Sequence, residues 1–216
     1  MATYSTIKSF ANASIGRDIE VLNDIHQDHI NISIYERGFQ PMSDEILQFL
    51  TQQDIQLKLT GDVEGLIQGF SDSLAEEDLP HDFFLSDFSA LLKSFEEITQ
   101  AKVFRVFFAT IKTDMCRRFH TDVNKLRLLC TYAGPGTLWL PEEAIDRYAH
   151  NSGKTNEEIV TDPQLIQQAN TGDVVILKGA LYPNAKAAMH RSPSIEEANE
   201  KRLMLRIDIH EPLNFM

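Results

Sequence analysis

His120 and Asp122 stand two residues apart in Arg118-Phe119-His120-Thr121-Asp122, at the end of a strand-like segment. Alternate side chains of a strand share a face, so this imidazole and carboxylate point the same way and can hold one cation. They are two of the three ligands of a facial triad, the arrangement that leaves open positions on iron. The third ligand must come from a distant strand. His190, in Ala188-Met189-His190-Arg191-Ser192, lies late in the chain in such a strand. His-x-Asp alone is a common spacing. The order of the three residues, their strand ends and a later basic strand together point to a metal set of His120, Asp122 and His190.

That later strand places Arg202, Met204, Arg206 and Asp208 on one face and Leu203, Leu205, Ile207 and Ile209 on the other. With the apolar row packed on helices, the arginine row faces a barrel interior. A guanidinium fork binds carboxylate in two-point fashion, so Arg202 and Arg206 suit a small carboxylate ligand. The alternative is pairing with Asp or Glu at the rim. Arg118 and Arg127 are further anion-binding candidates with the same alternative. His26, His29 and His81 fall in a helical region and read as surface or capping residues. His150 sits in a polar loop, and His210 follows the last strand.

The elements that must position these residues divide the chain. Up to about residue 100 the pattern is mainly helical: Ile19, Leu22 and Ile25; Ser43 capping a segment from Asp44 to Gln53; Asp62 to Ala75; and a helix opened by Ser86. Ile30 to Tyr35 alternates as a strand, and Leu57 and Leu59 suggest a second, short one. From residue 101 the runs become strand-like: 103–113, 116–120, 126–132, 137–140, 173–178, 187–190 and 202–209. Gly134-Pro135-Gly136, Gly172-Asp173, Pro183-Asn184 and Ser192-Pro193 separate several of them. The polar stretch 151–168 reads as an insertion, with a short helix near 163–170. The expected fold is α+β: a double-stranded β-helix (jelly roll, cupin-like) over 101–216, with a helical region over 1–100 packed on it.

The 216 residues carry 32 acidic and 20 basic side chains, a formal net charge of −12. So negative a surface repels phosphate backbones, and no nucleic acid partner is expected. No apolar run approaches a membrane span, and the N-terminus has no signal-like pattern, which makes a cytoplasmic location the expectation. Cys116 and Cys130 lack zinc-finger or C-x-x-C spacing and read as reduced thiols.

Strand, His120-x-Asp122, several strands, His190 and a basic last strand together resemble the Fe(II)- and 2-oxoglutarate-dependent oxygenases over about residues 103–209. The resemblance implies iron on His120, Asp122 and His190, with Arg202, or else Arg206, on the distal carboxylate of 2-oxoglutarate. Tyr132 and Trp139 would line the substrate side, unless they are core aromatics. Cys116-Arg117-Arg118-Phe119-His120-Thr121-Asp122, Leu126 to Tyr132, Gly134-Pro135-Gly136-Thr137, Trp139-Leu140-Pro141 and His190-Arg191-Ser192-Pro193 more narrowly resemble a bacterial family, domain of unknown function 1826, over roughly 20–210. The leading expectation is an oxygenase using Fe(II) and 2-oxoglutarate. The alternative is a non-catalytic cupin-like protein holding a metal, zinc included, or a small ligand. The sequence does not indicate oligomeric state.

Overall fold

The charged and apolar alternation of residues 202–209 builds β10 (Arg202–Ile209) in the interior of a large sheet. This is a computed structural model that describes residues 10–38, 52–76 and 81–210. Seven strands form the sheet in the order β1-β2-β8-β5-β10-β4-β3. They are β1 (Ala13–Gly16), β2 (Ile32–Tyr35), β3 (Gln56–Gly61), β4 (Phe104–Ile111), β5 (Leu126–Ala133), β8 (Val174–Lys178) and β10. Every neighbouring pair is antiparallel except β1 with β2. A second, antiparallel sheet is small: β6 (Leu138–Trp139) lies between β7 (Gln167–Gln168) and β9 (His190–Arg191).

One face of the large sheet packs on two helices, α1 (Val63–Glu76) and α2 (His81–Thr99). Val63, Leu66, Phe70 and Leu74 recur every three or four residues, as a single buried helix stripe requires. Phe84, Phe88, Leu91, Leu92, Phe95 and Ile98 do the same on α2. Phe70 stacks on Phe88 with ring centroids 4.1 Å apart. Leu203, Leu205 and Ile207 meet this layer fully buried, each stabilising the fold by about 1.5–3 kcal/mol. The arginine row of β10 is thereby turned to the opposite face. There Ile32, Ile34, Leu129, Val175 and Leu177 pack against Trp139, Ala169 and Ala188 of the small-sheet layer.

Several elements differ from expectation. Residues 19–26 form a 3-10 helix, and α2 begins at His81 rather than Ser86. The segment 116–120 is not a strand: Cys116 has φ 49, a left-handed backbone that interrupts extension, and only His120 makes an isolated bridge. The insertion holds two short helices, α3 (Arg147–Asn151) and α4 (Asn156–Ile159), and contributes β7 to the small sheet. No helix covers 163–170; a 3-10 turn at 163–165 gives way to β7. β1 to β3 and both long helices come from the first hundred residues, so that region shares the sheet with the rest. Ser43 and most of the segment it was expected to cap lie outside the described residues. No helix among the described residues is long and apolar enough to cross a membrane.

Candidate metal centre

His120 and His190 face each other as an antiparallel bridge, each backbone N–H donating to the other's carbonyl at 3.0 Å. β9 is also paired to β6, Trp139 opposite His190, so the small sheet carries the end of the segment leading to His120 on its edge. Phe119 anchors that end by burying its ring with Leu140, Ala144, Ile159 and Met189. Asn156 at the start of α4 clamps it from the other side. Its Oδ1 accepts from the Phe119 N–H at 2.8 Å, and its Nδ2 donates to the Arg117 carbonyl at 2.9 Å. The insertion therefore holds His120 in place.

Asp122 is set by the turn that follows. Its carbonyl accepts from the Ala180 N–H at 2.8 Å, while Gly179 N–H donates to Lys125 at 2.9 Å. A Cβ at position 179 would lie 2.3 Å from the Asn124 carbonyl oxygen, so this close approach of two chain segments requires glycine.

The imidazole rings have centroids 4.6 Å apart. His120 Nε2 is 3.8 Å from Asp122 Oδ1, and His190 Nε2 is 3.4 Å from Asp122 Oδ2. One ligand atom from each residue lies within 4.8 Å of the others, a set that could hold a metal ion. The tautomers follow from the backbone. His120 Nδ1 is 3.0 Å from the Arg118 carbonyl and His190 Nδ1 is 3.4 Å from the Ala188 carbonyl. A carbonyl only accepts, so each Nδ1 carries the proton and each Nε2 presents a lone pair inward. Burial pushes His190 down to about 4, which keeps it neutral. Asp122 Oδ2 is buried and accepts no hydrogen bond among the described residues. An orphan carboxylate oxygen beside two inward imidazole lone pairs fits a divalent cation by its donor chemistry.

Arg127 stands behind the carboxylate. Its Nη1 lies 2.5 Å from Asp122 Oδ1, and its Nε and Nη2 donate to Asp208 at 2.6 and 3.2 Å. It lines the cavity, and its guanidinium is engaged by the protein's own carboxylates, the alternative to anion binding. Arg206 stacks 5.1 Å from the Phe107 ring, with Nε 3.1 Å from Asp208 Oδ2.

Arg202 differs from both. It is 1% exposed, and its Nη2 donates to the hydroxyls of Thr131 and Thr137 at 3.1 and 3.4 Å. No carboxylate among the described residues approaches it, Nε has no partner, and desolvation pushes its pKa down to about 10. It lines the same cavity as His120, Arg127, His190 and Arg206, a small one of about 60 Å³.

Other expected site residues lie elsewhere. Arg118 turns away, its Nε and Nη2 donating to the carbonyls of Lys154 and His150. Tyr132 sits on the helical face among Phe84 and Phe108, its hydroxyl donating to Asp87 at 2.6 Å. Trp139 packs edge-on against Phe10 between the sheets. His26 is fixed between Tyr182 and the Ile98 carbonyl. Sequence reasoning did not single out Thr131 and Thr137, which hold Arg202, or Arg191, which lines the cavity and lies over Phe119. Thr131 carried a signal: a hydroxyl two residues beyond Leu129, on the cavity face of a buried strand.

These features describe a two-sheet α+β protein with a His-Asp-His cluster beside a buried arginine. The chain belongs to the family described as "Protein of unknown function (DUF1826)", which matches residues 16–208. No curated protein sequence matches it. Among solved structures it is similar to a Pseudomonas putida prolyl-4-hydroxylase, at 12% identity and TM-score 0.45, covering 90% of this chain and 94% of that one. It is similar to the Fe(II)/(alpha)ketoglutarate-dependent dioxygenase TqaL at 13% identity and TM-score 0.46, covering 82% and 78%. A full-length Neurospora crassa protein, solved in complex with alpha-KG, aligns at 11% identity and TM-score 0.40, covering 89% and 78%.

Proposed function

We propose that the chain is an Fe(II)-dependent oxygenase that uses 2-oxoglutarate as cosubstrate. Its two facing sheets would be the walls of a double-stranded β-helix, and its free thiols suit a reducing cytoplasm. The observation that carries the reading is the Arg202 guanidinium, buried without a carboxylate partner among the described residues, in the cavity that holds His120 and His190. Burying a cation unpaired is costly, so an anionic ligand is the natural completion of the site.

In this reading His120 and His190 present Nε2, and Asp122 presents Oδ2, to the metal. Iron, when bound, supplies the oxidative chemistry that converts 2-oxoglutarate and dioxygen to succinate and CO2 while oxidising a second substrate. Arg202 anchors the distal carboxylate, and Thr131 and Thr137 fix the guanidinium in position. Leu129 and Met204 keep the cavity wall apolar, so the charge pair forms in a medium where it is strong.

The test is anaerobic calorimetry with Fe(II), then 2-oxoglutarate, followed by succinate release on admitting air. One metal per chain should bind, and His120→Ala or Asp122→Ala should abolish that binding while circular dichroism stays native. Tight metal binding with no 2-oxoglutarate binding at millimolar concentration would instead assign a non-catalytic cupin-like protein, and a preference for Zn(II) would fit the same ligand set.

A further inference from the structure

Among the described residues the large sheet continues past the metal centre as a partly uncovered face. The small sheet covers this side over β2, β8 and β5, Ile195 packs on Ala109 and Ile111 at one end of β4, and the rest of β4 and β3 lies open beyond β10. Strand register collects cations there. Lys58 pairs across from Phe107, and Phe107 across from Arg206; Arg105 lies across from Asp208. Lys58 Nζ and the Arg206 guanidinium both stand over the Phe107 ring, at 5.8 and 5.1 Å. The result is an open groove of about 640 Å³, lined by Lys58, Arg105 and Lys112 as well as Arg206. Phe107, Ile111, Met115 and Arg206 line both this groove and the metal-site cavity, so the two adjoin.

Its charge balance is one-sided. Asp208 is the one acidic side chain in the lining among the described residues, and Arg127 and Arg206 already engage it. Lys112 pairs at 3.0 Å with the exposed Asp54, an arrangement worth little in water. Lys58 and Arg105 are exposed and form no ion pair among the described residues. In a chain of net charge −12 this concentration of cations is a local reversal of sign, and a cleft focuses such a field on an anion. The volume falls in the range of single small-molecule sites, about 300–1,000 Å³.

We infer that this groove binds the oxygenase's primary substrate, a small molecule bearing at least two negative charges as carboxylate or phosphate. The inference rests on the oxygenase reading, since it assigns the groove to the substrate rather than the cosubstrate.

The experiment uses the metal-loaded full chain, with citrate, tripolyphosphate and pentaglutamate as probes in calorimetry and amide-shift mapping. Citrate or tripolyphosphate should bind and shift the amides around Lys58 and Arg105, the preferred probe telling carboxylate from phosphate. The exposed double variant Lys58→Glu/Arg105→Glu should weaken that binding by roughly tenfold or more, with Fe(II) and 2-oxoglutarate binding unchanged. Lys58→Gln/Arg105→Gln provides a milder change should the reversal perturb folding, and should give an intermediate loss. Binding of pentaglutamate alone would overturn the proposal in favour of an acidic polypeptide partner. Equal affinity in wild type and both variants, or no binding of any probe at millimolar concentration, would also overturn it. If succinate production fails while citrate still maps to the groove, the oxygenase reading alone falls.

Discussion

Arg127 grips Asp122 by the oxygen that does not face His190. The Arg127 Nη1 to Asp122 Oδ1 separation is 2.5 Å, while Asp122 Oδ2 lies 3.4 Å from His190 Nε2 and accepts no hydrogen bond among the described residues. The same guanidinium holds Asp208 through two hydrogen bonds, and Asn124 adds a third to that carboxylate at 3.0 Å. The carboxylate is thus held with one oxygen turned toward the two imidazoles.

Replacing the fork but keeping its charge isolates that orienting role. Arg127→Lys cannot bind both carboxylates in the same geometry. Metal affinity should fall by roughly tenfold, the lower end of the effect of removing a partner of a ligand. Calorimetry with Fe(II) or Zn(II) checks it, and an unchanged affinity would show that Asp122 needs no such support.

How far this arrangement was legible from the residues depends on the kind of signal. β10 was legible because one of its faces is wholly apolar and the other charged, so alternation identified the arginine face directly. The helix stripes of α1 and α2 were legible for the same reason. β5 was legible as a strand, but the facing of its side chains was not, because nearly every residue from Leu126 to Ala133 is buried. A strand covered on both faces shows no polar–apolar alternation, which is why Tyr132 could be expected on the substrate side while it faces the helices. The strand expected at 116–120 fails at Cys116, whose left-handed backbone carries no sequence mark. The Asn156 clamp on His120's segment joins residues 37 apart, and one sequence alone does not reveal a contact at that range.

The two thiols should behave very differently. Cys130 is fully buried, and desolvation pushes it up to about 12, against the opposing pull of Arg37. At pH 8 only about one molecule in ten thousand would carry the reactive thiolate there. Cys116 is exposed. A disulfide reagent added to native protein should therefore titrate one thiol quickly and the second only on denaturation. Cys116→Ser should remove the fast phase. Two fast thiols in native wild-type protein would contradict the burial of Cys130.

Asp114 gives a pH-dependent prediction. Its Oδ1 accepts from the Ile195 and Glu196 N–H groups at 2.6 and 3.0 Å, which hold its carboxyl below the ordinary aspartate value. A depressed folded-state value means that the stabilisation is present above the unfolded pKa of about 3.9 and is lost as pH falls through the lower folded value. The link tethers the chain after β9 to the segment before His120. Carboxyl NMR should place the Asp114 midpoint below that of an unperturbed aspartate. Asp114→Asn should reduce hydrogen-exchange protection of Ile195 and Glu196 at pH 7, where the wild-type carboxylate is fully ionised. An ordinary midpoint, or undiminished protection, would remove the tether from the account.

Arg202 tests function and stability in opposite directions. A bidentate anchor, once lost, typically costs about 2–5 kcal/mol of binding, because the partner carboxylate is left unpaired. Arg202→Met should therefore weaken 2-oxoglutarate by roughly thirtyfold or more, at about 1.4 kcal/mol per tenfold, and leave Fe(II) affinity nearly unchanged. Arg206→Ala is the comparison, because Arg206 already has Asp208 as a counterion; a larger loss there would move the anchor to Arg206. Without ligand, however, the wild-type protein carries a buried cation whose only partners among the described residues are two hydroxyls. Methionine fills similar volume without that desolvation, so the ligand-free variant should melt higher. Each 1 kcal/mol gained would raise the midpoint by about 2–4 °C in a chain of this size. A residue kept for structure would destabilise the protein when removed; one kept for a ligand would stabilise the empty fold and cost binding. A variant that melts lower while binding 2-oxoglutarate normally would make Arg202 a structural residue and remove the main support for the oxygenase reading.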